Sequence, residues 1–311
     1  MYLRNVRHRF PPWLVLPLLA GVCVGIIFAV AYLRPRSFST ANLFQRLPSE
    51  DAVVLYVDFD ALRRVHLLDL FTSAAAAQDP EYHSFVESTG FNYLRDLDSA
   101  LVSFHASGKY LLLRGRFDWS NLSQYVRGQG GTCYNSLCRL DGSTPERKIS
   151  YFPLQSNIMA LAVSEDSTAA TRLQGRRSGP RPEILADPIW SVIPPAALKD
   201  DARLPAGLRP FARTLRSAQR VVLSGGPDGP SMRLQLDATC SSAEQAAMLA
   251  SQLRALTTLL RELIAREHQV PNPHDLSGIL AAGVFEQKGR RVLGSWPVQR
   301  AFLESLAGGA L

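Results

Sequence analysis

Asp58-Phe59-Asp60 closes the apolar run AVVLYV. In a strand, alternate side chains share a face, so two carboxylates in this spacing stand side by side at the strand end, where they can hold Mg²⁺. Asp58 and Asp60 are therefore the candidate metal ligands. The structural alternative is that Asp60 caps a helix beginning at Ala61 while Asp58 is a solvated strand residue. Lys199-Asp200-Asp201 offers a lysine and a second acid pair, but in a Pro-rich loop rather than after a strand. Cys133 and Cys138 enclose Tyr-Asn-Ser-Leu in the Gly-rich stretch GQGGTCYNSLCRLDG. Outside the cytoplasm such a pair is a candidate local disulfide. As metal ligands they supply two donors, and no nearby Cys or His pair completes four. Cys240 precedes a helix and reads as a buried thiol. The six histidines, His8, His66, His83, His105, His268 and His274, are scattered. No Gly-x-Ser-x-Gly, phosphate-binding Gly-rich loop with Lys-Ser/Thr, or His-Glu-x-x-His is present. No catalytic residue, cofactor-binding residue or cofactor is assigned.

The elements that position these residues begin with an anchor. Trp13 to Leu33 is a run of 21 residues without a charge. As a helix it is roughly 31 Å long, the thickness of a bilayer core. Trp13 and Tyr32 lie near its ends, where amphipathic rings favour the headgroup zone. A cleaved signal peptide is the competing reading, with Ala29-Val30-Ala31 as the small-x-small site, but the run exceeds the usual roughly 7–15 apolar residues. A lipoprotein signal is excluded because Val22 precedes Cys23. Arg4, Arg7 and Arg9 before the run outnumber Arg34 and Arg36 after it, which places the N-terminus in the cytoplasm and the bulk outside it. The expected location is the cell membrane, with lipid contacted through residues 13–33.

Five of the 34 basic residues and none of the 27 acidic ones lie in residues 1–36. The remaining 275 residues carry 29 basic against 27 acidic groups, a net of +2. No basic field is left to collect nucleic acid.

Residues 1–12 form a basic cytoplasmic end, 13–33 the span and 34–47 a tether. From Leu47-Pro48 the pattern is that of a folded α+β protein in two related halves, 48–174 and 189–311, joined by a linker, 175–188, around the Gly-, Pro- and Arg-rich QGRRSGPRPE. Each half reads as a strand, a helix, then ββαββα, giving antiparallel sheets covered by helices. The opening strands are AVVLYV (52–57) and IWSVI (189–193). SALVSFH with KYLLLRGRF and KISYFPL with NIMALAV form the hairpins of the first half. QRVVLSG with SMRLQLDA and GVFEQ with RRVLGSW form those of the second. Helices are expected near Trp119, over Glu165–Leu173, over 242–268 and over Pro297–Leu306. The third has a capping box in Ser241-Ser242-Ala243-Glu244 and a stripe of Leu249, Leu253, Leu256, Leu260 and Leu263.

The Asp58/Asp60 pair resembles the first motif of haloacid-dehalogenase-type phosphatases and the DxD of glycosyltransferases, which implies a Mg²⁺-dependent hydrolase or transferase. The Gly-Thr after the second aspartate of the phosphatase motif is Ala61-Leu62 here. The second half has Pro194 and Ala196 in place of the aspartates. The opening Leu47-Pro48 with Ala52-Val53-Val54-Leu55-Tyr56-Val57-Asp58 after an anchor, and the helix start Cys240-Ser241-Ser242-Ala243-Glu244-Gln245-Ala246, resemble bacterial single-pass envelope proteins of unknown function. That resemblance brings no activity and no site residues. Three functions follow as expectations. The first is a membrane-anchored, non-enzymatic interaction module, an accessory subunit or scaffold with a protein partner. The second is the Mg²⁺ enzyme, and the third an envelope protein holding lipid or a small molecule between the halves.

Overall fold

The computed structural model describes residues 38–71, 80–144, 146–175, 185–199, 206–229 and 231–307. The basic end, the span and the first residues of the tether lie outside them. No helix among the described residues is long and apolar enough to cross a membrane. The chain divides into two units, residues 1–40 and 41–311, and the second carries the sheet.

The helices are α1 (Thr40–Phe44), α2 (Phe59–Arg64), α3 (Pro80–Thr89), α4 (Tyr93–Asp96), α5 (Trp119–Gly128), α6 (Arg209–Leu215), α7 (Ala243–Arg266), α8 (Leu276–Ala281) and α9 (Arg300–Ala307). The strands are β1 (Val53–Asp58), β2 (Leu97–His105), β3 (Gly108–Gly115), β4 (Thr132–Tyr134), β5 (Leu137–Asp141), β6 (Lys148–Gln155) and β7 (Ile158–Ser164), then β8 (Ile189–Ile193), β9 (Arg220–Asp228), β10 (Ser231–Thr239), β11 (Val284–Lys288) and β12 (Arg291–Val298). All twelve form one antiparallel sheet in the order β11-β12-β10-β9-β8-β1-β2-β3-β7-β6-β5-β4.

The sequence suggests a sheet for each half; the structure makes them one. Its centre is the β1–β8 pair, with Val54 opposite Val192 and Tyr56 opposite Trp190. Tyr56 stacks on Trp190 at a ring separation of 5.1 Å. From this seam the order outward is the same on both sides, β1-β2-β3-β7-β6 and β8-β9-β10-β12-β11. The β4–β5 hairpin, which no apolar pattern announced, extends the first side.

Cross-strand partners share a face, so two rows can be traced through the register. One runs Met159, Leu113, Ala100, Val57, Ile189, Gly225, Leu234, Trp296. It lies under helices along its length. α5 packs Leu122 and Val126 on Met159 and Tyr151, and α6, α7 and α8 pack on the β8–β12 side. α7 is the long helix expected from the leucine stripe. Leu249 and Leu253 are each 1% exposed, whereas Leu263, near its end, is 48% exposed. Its capping box uses different partners from those expected. Ser242 Oγ accepts from the Gln245 amide at 3.2 Å, and Gln245 Oε1, rather than the Glu244 carboxylate, accepts from Ser241 N at 2.9 Å.

On the opposite face the first half is roofed by the chain entering β1. The tether assignment fails at residues 41–47: Ala41–Phe44 are helical, and Leu43 and Leu47 are buried. Burial of these leucines ties the segment to the sheet. Arg46 Nη1 donates to the carbonyls of Leu173, at 3.2 Å, and Gln174, and Ser103 Oγ donates to the Pro48 carbonyl. Ala169–Leu173 is a 3₁₀ turn, shorter than the expected helix.

Candidate functional site

Asp58 ends β1 in an extended conformation and is itself the N-cap of α2, its Oδ1 accepting from Ala61 N at 2.8 Å. The Tyr56 hydroxyl stands 3.5 Å from its other oxygen. Asp60 lies in the first turn, 3.3 Å from Arg63 Nη1 and 2.9 Å from Arg64 Nη2. Arg63 also donates to the carbonyls of Leu94 and Leu97, tying α2 to α4 and β2. Of the two aspartates the cap is thus Asp58, not Asp60, and each carboxylate has a partner within the protein. Among the described residues no group of three or more His, Cys, Asp or Glu side chains is placed to hold a metal. Asp200 and Asp201 lie outside the described residues.

Cys133 and Cys138 face each other across the β4–β5 hairpin and are joined in a disulfide. Cys240 is fully buried, and burial pushes its thiol pKa up, the opposite of an activated nucleophile. His66 meets Asp69 at 3.0 Å and His105 meets Ser107 at 2.8 Å, both locally. Asp96 is the buried carboxylate among the described residues. Burial raises its pKa, but hydrogen bonds from Arg95 and the Asn92 amide, with the charges of Arg95 and Arg116, outweigh that and hold it below the ordinary value. Arg95 Nη2 is 2.9 Å away, the Asn92 amide 3.0 Å and Arg116 Nη2 3.1 Å. This cluster anchors the α4–β2 corner.

The feature that no motif marked is the second row of the sheet. From the first half it runs Phe152, Ala160, Leu112, Leu101, Tyr56, Trp190 and then changes character to Ser224, Gln235, Ser295. The apolar part lies on the face that Leu43 and Leu47 roof. The polar part lines an open groove of about 570 Å³, bounded by Leu185 and Asp187 and ending at Val284, which is 63% exposed. Its charges come in opposite-sign neighbours. Arg291 Nε donates to Asp237 Oδ1 at 3.0 Å, Arg233 Nη2 to Asp228 at 2.6 Å, and Lys288 lies 3.6 Å from Glu286. Such a surface selects by the pattern of donors and acceptors rather than by a field of one sign. A signal for it exists in the sequence. SMRLQLDAT alternates apolar and polar residues, as a strand wet on one face must, whereas KYLLL does not.

No protein-family model matches the sequence, and no curated protein matches it significantly. Among solved structures the chain is similar to crystal form I of TP0453, with a TM-score of 0.49 at 9% identity over 89% of this chain and 99% of that one. Crystal form IV of TP0453 gives a TM-score of 0.48 at 12% identity over 85% of this chain and 94% of that one.

Proposed function

We propose that the chain is a membrane-anchored, non-enzymatic interaction module. Residues 13–33 hold it in the cell membrane with the N-terminus cytoplasmic, and the groove on β9, β10, β12 and β11 receives a protein partner outside the cytoplasm. The matching strand order on either side of the β1–β8 seam supports descent of the two halves from one ββαββα unit. The Cys133–Cys138 disulfide agrees with an oxidising compartment.

The observation that carries the reading is the change of character along the second row. Among the described residues, one half of this face is apolar and covered by its own chain; the other is polar, paired in charge and uncovered. A sheet face kept polar needs no internal cover, and a groove with several paired charges and an exposed Val284 offers a partner both register and an apolar contact.

The test is site-specific photocrosslinking of the full-length protein in cells of its source. A photoreactive residue at exposed Gln235 should give one discrete protein adduct, and the same residue at exposed Glu262 on α7 should give none. The adduct should weaken on reversing Arg291→Asp and Asp237→Arg singly and return in the double exchange. Equal adducts at both positions, or none at Gln235, would reject the interaction reading.

A further inference from the structure

On the helical face of the second half, between the sheet and α6, α7 and α8, lies a cavity of about 290 Å³. Its floor includes Leu223, Leu234 and Trp296, and its walls Phe211, Leu253 and Ile279. The surface is wholly apolar. Among the described residues the indole nitrogen of Trp296 has no hydrogen-bond partner, and it is turned to Gly283, where a Cβ would come within 2.6 Å of it. Native cores hold few voids larger than a water molecule. Water is a poor occupant here, because it needs several polar partners and the walls supply none.

We propose that this cavity is a binding site for a single alkyl chain. A dry cavity of about 150 Å³ lined by aliphatic and aromatic side chains takes up benzene. By proportion the present one accommodates roughly ten to twelve carbon atoms, one chain of medium length rather than the two long tails of a phospholipid. A carboxylate or ester head stays outside, since an ionised group without a partner is excluded from such walls. The chain enters tail first. The proposal is independent of the groove reading, because the two sites lie on opposite faces of the sheet.

The experiment uses the full-length protein in phosphatidylcholine vesicles and reads Trp296 emission as the difference between the protein and Trp296→Phe. ω-Bromododecanoate should quench that emission saturably, with one site per chain, and unbrominated dodecanoate should reverse it. Competition by straight-chain carboxylates, plotted against free concentration, should strengthen roughly fourfold per added carbon and level off near ten to twelve carbons. Simple partition would continue to rise and would overturn the proposal. Ala212→Phe, which fills the cavity, should weaken quenching at least tenfold. If that variant does not fold, the chain-length profile decides alone. A second arm uses vesicles whose phospholipid carries the bromine. Quenching of Trp296 there, without added carboxylate, assigns the chain to membrane lipid, and quenching only by bromododecanoate assigns it to a free fatty acid. Absence of quenching in both arms refutes the site.

Discussion

Asp58→Ala and Asp58→Asn, made as a pair, separate the two roles open to this carboxylate. In the structure Asp58 Oδ1 accepts from Ala61 N at 2.8 Å and opens α2, whose Leu62 is buried in the core. Removing an N-cap oxygen destabilises by about 1 kcal/mol, with a range of roughly 0.5–2, whereas Asn caps about as well as Asp. The negative charge at the helix start adds roughly 0.3 kcal/mol or a little more, and that alone is lost with Asn. Asp58→Ala should therefore lower the Tm by about 3 °C and Asp58→Asn by about 1 °C, taking roughly 2–4 °C per kcal/mol for a domain of this size. The assay is thermal unfolding of the full-length protein in mild detergent, followed by circular dichroism, with and without 5 mM Mg²⁺. A bound metal stabilises by about 2.7 kcal/mol at a hundredfold excess over Kd, far more than the cap. The reasoning is refuted if Asn is as harmful as Ala, or if Mg²⁺ raises the Tm of the native protein and leaves Asp58→Asn unmoved. Either result would return Asp58 and Asp60 to the role of metal ligands.

Two further outcomes follow from the geometry. The Asp96 pKa is held below the ordinary carboxylate value in the folded state, so its contribution to stability is complete above roughly pH 4, the unfolded value, and is lost as pH falls through the folded value; urea midpoints of Asp96→Asn should be lower near neutrality and should fall less between pH 5 and 3 than those of the native protein. Within the leucine stripe of α7, Leu249→Ala should destabilise by about 2–5 kcal/mol, whereas Leu263→Ala, at an exposed position, should stay within about 0.5 kcal/mol, both read from urea unfolding.

Local pattern made α7 legible, because five leucines at alternating spacings of four and three and a nearby serine are short-range signals. The hairpins were legible for the same reason: β9–β10 turns at Gly229, whose φ of +61° suits glycine, and β11–β12 at Gly289, with φ of +58°. The β1–β8 seam was not legible, since nothing in IWSVI names the distant strand it will meet. Residues 41–47 misled because their two buried leucines are sparse in sequence and acquire meaning only against the sheet. Of the aspartate pair only Asp58 ends the strand, and Asp60 falls in the first turn of α2, because the backbone leaves the strand two residues earlier than expected. The groove was written in the alternation of SMRLQLDAT, and reading it required knowing that no helix among the described residues covers that face. The cavity has no sequence signature, because it is the space left between side chains of many separate elements.

The β1–β8 seam also sets a timetable for biogenesis. Its strands are separated by more than a hundred residues of chain, and at roughly 5–20 residues per second β8 leaves the ribosome about seven to twenty-seven seconds after β1. Through that interval β1 presents an unpaired apolar edge, Val53 to Val57, of the kind that recruits other strands. The first half can assemble its own side of the sheet, but its innermost edge is closed only when the second half arrives. Production of the first half alone should leave that edge open and drive self-association, so the duplication works as a mutual cap in which each half protects the other from aggregation.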